Sequence, residues 1–137
     1  MDRICKILVV EDDDAVRALL GDVLDYAGYE FTLASNGAET RRALDADDYD
    51  VAIIDIGLRD GDDGFTLAEL ADAKGCGIIL TTGDLERRSR LEASGRHHMM
   101  KPFRMQELTR LVDRILKDNE ALCTPRRRDS SPLTARA

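Results

Sequence analysis

No stretch of this 137-residue sequence approaches the roughly 20 consecutive apolar residues that cross a bilayer. The opening "MDRICKILVV" is charged at Asp2 and Arg3 and runs straight into acids, so it lacks the apolar stretch and cleavage site of a secretion signal. Together these absences point to a cytoplasmic protein. Cysteine is scarce too. Cys5, Cys76 and Cys123 lie far apart and form no CxxC pair, so neither a zinc site nor a disulfide framework is expected. Positive charge is in deficit, 20 Lys and Arg against 27 Asp and Glu, which argues against general nucleic-acid binding by the body of the chain.

What remains suits one compact domain with a genuine core, since 43% of the residues are hydrophobic. Ile4 to Val10 read as a buried parallel strand interrupted at Lys6. Ala15, Val16, Leu19, Leu20, Val23, Leu24 and Ala27 then recur at helical spacing, with Gly28 as the stop. Glu30 to Ala34 is a second strand, followed by a helix with Ala38, Arg42, Ala43 and Ala46 on one face and Leu44 on its edge. "DVAIID" (50–55), "GIILTT" (77–82) and "RHHMM" (96–100) read as strands; "GFTLAELADA" (64–73), a short charged segment around 85–93 and a stretch from Met105 to about Lys117 read as helices. Beyond 119 the periodicity dissolves into Pro, Ser and Arg. The reading is therefore one domain over 1–119 and a flexible tail over 120–137, with no effector domain.

Strands alternating with helices imply a doubly wound parallel α/β sheet with helices on both faces, whose ligands bind beyond the carboxyl ends of the strands. Glu11 and Asp12 end the first strand, Asp55 the third, Thr82 the fourth and Lys101 the fifth. Two like charges 4 Å apart repel by about 4 kcal/mol at an effective dielectric near 20, so such an acidic cluster calls for a cation. Carboxylate oxygens with little sulfur nearby favour a hard one, Mg²⁺. A carboxylate beside a metal and a lysine can also attack phosphorus, with the hydroxyl of Thr82 bonding a phosphoryl oxygen.

In "ILVVEDD" (7–13), "YDVAIIDIGL" (49–58), "DGFTLAEL" (63–70), "ILTTGD" (79–84) and "KPF" (101–103) the chain resembles the receiver domain of two-component response regulators, of the stand-alone type, over residues 4 to about 119. The resemblance implies a flavodoxin-like five-stranded sheet of order 2-1-3-4-5. It implies that Asp55 accepts a phosphoryl group from a sensor histidine kinase, and that Glu11, Asp12, Asp55 and the Gly57 carbonyl hold Mg²⁺. Thr82 and Lys101 would bind the phosphoryl group, and the Lys101–Pro102 bond would be cis. Output would be a changed protein-binding surface read by a downstream phosphotransfer or target protein, with no specific nucleic acid and no membrane partner, and with homodimerisation through helix four and helix five as a family habit.

Four positions depart from the family pattern. Arg59 stands where Pro is usual, the 55–64 segment is one residue long, the Thr82–Lys101 segment is about one helical turn short, and His98 occupies the place of an aromatic switch residue. The small Gly57 would admit water, which predicts ready self-dephosphorylation. Gly57 also replaces the second acid that aspartyl-nucleophile phosphatases want, which removes an enzyme reading. The alternative function is a phosphorylation-independent adaptor with a vestigial site. Plainer roles are assigned elsewhere: Asp13 and Asp14 to the start of helix one, "DGDDG" (60–64) to a loop rather than a calcium site, His97, His98, Met99 and Met100 to a strand, and Arg87, Arg88 and Arg90 to a solvated helix face.

Overall fold

A computed structural model describes residues 3–59 and 61–126. The chain order is β1 (Arg3–Ile4), β2 (Lys6–Val10), α1 (Asp14–Tyr26), β3 (Glu30–Ala34), α2 (Gly37–Ala46), β4 (Val51–Asp55), α3 (Gly64–Ala73) and β5 (Gly77–Thr82). A 3-10 turn (Leu85–Arg87), α4 (Arg88–Ala93), β6 (His97–Met100), α5 (Met105–Asp118) and β7 (Cys123–Thr124) follow.

Five strands form one parallel sheet in the order β3-β2-β4-β5-β6. Counting those five in chain order gives the expected 2-1-3-4-5. The period-two alternation of each strand divides the core between the two faces. Ile7 and Val9 of β2, with Val51 and Ile53 of β4, pack against Leu20 and Leu24 of α1 and Leu108, Val112 and Ile115 of α5. Leu8, Val10, Ala52 and Ile54 face the other way, toward Leu44 of α2, Leu67, Ala68 and Ala71 of α3, and Leu91 of α4. No described helix is long and apolar enough to cross a membrane.

Local chemistry sets the helix bounds. Asp13 caps α1 by accepting from Val16 N at 3.0 Å, and Asp14 pairs with Arg17 one turn later, as the sequence suggests. Gly28, at φ +92°, ends α1 in the left-handed region that a side chain resists. Gly64 is needed for a different reason: an added Cβ would lie 2.6 Å from Ile56 Cα, so only glycine lets α3 start so close to the end of β4. Asp62 accepts from Gly37 N at 2.7 Å and Asp63 caps α3, so both acids tie this loop to its neighbours.

Several expectations are corrected. The α2 stripe is rotated: Gly37, Thr40 and Leu44 are buried, whereas Ala38, Arg42 and Ala46 are exposed. In α1, Ala15 and Leu19 are exposed, and the buried positions are Leu20, Gly21 and Leu24. The first strand breaks at Cys5, so that β1 leaves the main sheet. The largest correction concerns the tail. Residues 120–126 are placed on the domain: β7 pairs in parallel with β1, Cys5 N donates to Thr124 O at 2.9 Å, and Cys5 and Cys123 are joined in a disulfide. The unequal spacing of the three cysteines hid a pairing that tertiary proximity allows, because their Cα atoms stand 4.8 Å apart despite a sequence separation of 118. Arg127, Arg128, Asp129 and Arg136, on which the basic-tail reading rests, lie outside the described residues, as does Asp60.

Candidate functional site

The sheet ladder itself delivers the polar residues to one edge. Glu11 N donates to Ala34 O at 3.0 Å, which fixes Glu11 immediately past β2. Asp55 is paired with Thr81 across β4 and β5, and Ile56 N continues the ladder to Thr81 O at 3.0 Å. Lys101 N donates to Thr82 O at 2.8 Å, holding Lys101 beside the end of β5 just before a cis Lys101–Pro102 bond. Glu11, Asp55 and Thr82 are buried, at 1%, 6% and 1% relative exposure. Such burial of two acids requires compensating charge.

Lys101 supplies part of it. Its Nζ bonds Glu11 Oε1 and lies 3.1 Å from Asp55 Oδ2. Burial alone would lower the lysine's pKa, but the bond to Glu11 and the nearby Asp55 charge raise it above the ordinary value. Burial pushes the Glu11 carboxyl up, an effect that Lys101 offsets only in part. Asp12 behaves oppositely: burial would raise it, yet bonds from Arg59 hold it below the ordinary carboxylate range. Arg59 reaches Asp12 Oδ2 with its backbone N at 2.7 Å and its Nε at 3.1 Å, and Nη2 reaches Asp12 O at 3.3 Å.

Carboxylate oxygens of Glu11, Asp12 and Asp55 can be chosen within 4.8 Å of one another. All are hard oxygen donors, so this set fits Mg²⁺ by donor type and by charge. Gly57 donates its N–H to Asp55 Oδ1 at 2.7 Å, so it belongs to the same cluster. Thr82 Oγ1 accepts from Asp84 N at 3.2 Å. His98 is half-buried on β6, the strand that leads into Lys101, with Nδ1 3.1 Å from Arg96 O. His97 is exposed, and Met99 and Met100 pack on opposite sheet faces, as strand alternation requires.

Two arginines were not legible as site residues. In the sequence Arg59 stands out only as a departure from proline. Arg87, read as part of a solvated face, instead folds back and donates through Nη1 to Ile56 O at 2.7 Å. A signal for both existed in hindsight: a long loop after Asp55 and a short segment after Thr82 bring their flanking side chains over the strand ends. Arg88 pairs with Glu92, and Arg90 sits over the Phe65 ring, 4.5 Å from its centroid.

Arg59 occupies Asp12 with positive charge, so we expect Arg59→Ala to tighten Mg²⁺ binding by about two- to fivefold, the scale of one exposed ion pair. Arg59→Lys should stay near wild type. Calorimetric titration with MgCl₂ checks this, and an unchanged dissociation constant in the alanine variant would refute the competition.

A parallel sheet with paired acids, a threonine and a lysine at its carboxyl edge defines a signalling switch of the receiver class. Residues 7–113 match the response regulator receiver domain model, and the chain belongs to that family, the receiver domains of two-component response regulators. Among its relatives, the transcriptional regulatory protein KdpE of Staphylococcus aureus is 31% identical over 84% of this chain and 52% of its own length. The transcriptional regulatory protein CusR of Escherichia coli K12 is 34% identical over 85% and 53%. The chain thus spans about half the length of these relatives. A CheY-like receiver domain from Methanospirillum hungatei is similar in structure, with a TM-score of 0.76 and 27% identity over 85% of this chain and 97% of that one. The regulator TrrA of Thermotoga maritima, solved with Mg²⁺ and BeF, matches with a TM-score of 0.72 and 33% identity over 82% and 100%. Receiver domains act with histidine kinases and downstream targets, and bind Mg²⁺ at an acidic pocket.

Proposed function

We propose that this chain is a response-regulator receiver domain of the cytoplasm that accepts a phosphoryl group from a histidine kinase on Asp55 and passes the signal on by protein contact. The observation that carries this reading is Asp55 itself, buried at the end of β4, with the Lys101 ammonium 3.1 Å from Oδ2 and two further carboxylates in reach.

In the step we envisage, a carboxylate oxygen of Asp55 forms a bond to phosphorus as the phosphorus–nitrogen bond of the donor phosphohistidine breaks. The imidazole leaves with that electron pair and takes up a proton. Glu11, Asp12, Asp55 and the Gly57 carbonyl would hold Mg²⁺, which when bound neutralises charge on the phosphoryl oxygens. Lys101 then exchanges part of its pairing with Glu11 and Asp55 for the arriving phosphoryl oxygens. The Thr82 hydroxyl turns from Asp84 N toward the same group. Movement of Thr82 carries β5 and the loop to α4 with it, and so biases the surface made by α4, β6 and α5. His98 lies on that surface and would report the change to a partner, a phosphotransfer protein, a target or a second copy of the chain.

The test is intact-protein mass after incubation with Mg²⁺ and acetyl phosphate, for wild type and Asp55→Asn. One phosphate adduct on the wild type, lost in the variant and lost without Mg²⁺, is the expected result. The Arg59 guanidinium paired with Asp12 is what favours the second reading, an adaptor that works unphosphorylated. Absence of an adduct from acetyl phosphate and from cognate kinases would replace the first reading with the second.

A further inference from the structure

The space beside Asp55 is bounded by one group that neither Mg²⁺ binding nor the Thr82–Lys101 pair explains. An ideal Cβ placed on Gly57 would stand 3.3 Å from Asp55 Oδ1, 3.8 Å from Arg87 Nη1 and 3.9 Å from Thr82 Oγ1. That point marks a small cradle next to the Asp55 carboxylate. It stays open because residue 57 has no side chain, and it is walled by a carboxylate oxygen, a hydroxyl and a guanidinium.

We propose that Arg87 is a phosphoryl-binding residue, its guanidinium sharing with Thr82 the space over Gly57 in which a phosphoryl group on Asp55 would lie. The proposal rests on the aspartyl-phosphate reading above. Chain geometry holds the side chain there. Asp84 caps the 3-10 turn by accepting from Glu86 N at 2.9 Å, and Asp84 Oδ2 stands 3.3 Å from Arg87 Nε. The Nη1 bond to Ile56 O, the carbonyl between Asp55 and Gly57, fixes the far end of the guanidinium. Of the five guanidinium donors, one on Nη1 is hydrogen-bonded, to Ile56 O, while Asp84 Oδ2 makes an ion pair with Nε. Donors remain for an anion, and a planar fork suits phosphoryl oxygens better than a point charge does.

Three consequences follow from this placement. A phosphoryl group brings nearly two negative charges to a site whose lysine is already shared between two carboxylates. Arg87 adds a cation without drawing Lys101 away from Glu11. It also walls one side of the opening left by Gly57, so phosphate loss should be faster still in a variant lacking Arg87. Finally, Asp84 contacts both Thr82 Oγ1, through its N–H, and Arg87, through its carboxylate. Capture of the anion by Arg87 therefore pulls on the loop that Thr82 must move.

The experiment is a titration with beryllofluoride, a phosphoryl mimic on carboxylates, at saturating Mg²⁺, followed by fluorine NMR for wild type, Arg87→Ala and Arg87→Lys. The alanine variant should bind about three- to tenfold more weakly, the scale of charge-assisted bonds discounted for a side chain 42% exposed. The lysine variant should fall between, and Mg²⁺ affinity measured alone should be unchanged in both. Equal beryllofluoride affinity in wild type and Arg87→Ala would overturn the proposal and leave Arg87 as a tie to the Ile56 carbonyl. A matching loss of Mg²⁺ affinity would overturn it too, by exposing a structural collapse of the loop. Wild type that binds Mg²⁺ but no beryllofluoride would instead sink the aspartyl-phosphate reading, a result distinct from the other two.

Discussion

Lys101→Ala should lower the free energy of unfolding by about 3 kcal/mol at neutral pH, because removing one member of a buried ion pair strands the others. Glu11 is 1% exposed and Asp55 6%, and the alanine variant would leave both facing each other without the ammonium. The pH dependence has a definite sign. Burial already raises the folded-state Glu11 carboxyl above its ordinary value of 4.5, and Lys101 is the first partner that brings it down. Without Lys101 the folded state holds the Glu11 proton more tightly still, so acidification toward 4.5 stabilises the variant relative to wild type. In the wild type the Lys101 contribution is full below its ordinary value of 10.5 and is lost as pH rises through the higher folded-state value. Urea unfolding at pH 7 and pH 5 reads the Glu11 effect, and a series carried above pH 10.5 reads the Lys101 effect. MgCl₂ should also restore more stability to the variant than to wild type, since the cation replaces the missing charge. A deficit independent of both pH and Mg²⁺ would mean that the variant lost packing instead.

Oxidised protein should exceed reduced protein in stability by about 2–4 kcal/mol through the bond between Cys5 and Cys123. The chain-entropy account of a cross-link grows with loop length, and this one closes a separation of 118 residues. Its native geometry demands little rearrangement: Cys5 is buried, and the parallel pairing of Arg3 with Cys123 and Ile4 with Thr124 brings the two sulfurs together. In a reducing compartment both remain thiols, and the pairing of β1 with β7 rests on backbone bonds and the ion pair of Arg126 with Glu30. Comparing urea midpoints with and without reductant checks the value. Alkylation before unfolding reports the state of the pair cleanly, because burial pushes the Cys76 thiol up to about 11 and keeps it inert. Coincident midpoints for fully oxidised and fully reduced samples would show that the cross-link contributes nothing to stability.

Much of this molecule is readable from residue order because α/β periodicity is local. Ile7 to Val10 and Val51 to Ile54 could be nothing but buried strands, and the winding rule then carries Glu11, Asp55, Thr82 and Lys101 to one edge without any knowledge of side-chain positions. The shortened α4 was legible by counting from Thr82 to Lys101, and it spans only Arg88–Ala93. What could not be read depends on long side chains and on distant pairings. Arg59 and Arg87 each reach across a loop whose path the sequence does not encode locally. The α2 stripe is hard to place because its alanines suit either face, and it is Gly37, Thr40 and Leu44 that are buried. Cys5 and Cys123 escaped for the same reason as any contact between chain positions so far apart: nothing in composition distinguishes a bonded pair from two isolated thiols.

The union of β1 with β7 lies at the amino ends of the strands, one full length of β2 away from the acids. Five residues at about 3.3 Å each make that separation roughly 17 Å. A dye or spin label attached near residue 124 therefore sits out of direct touch with anything that binds at the opposite edge. Any signal it gives on addition of acetyl phosphate has travelled through the body of the domain, along β2 or down α5. Position 124 is thus a vantage point for timing how a charge added at one edge of the sheet is felt at the other.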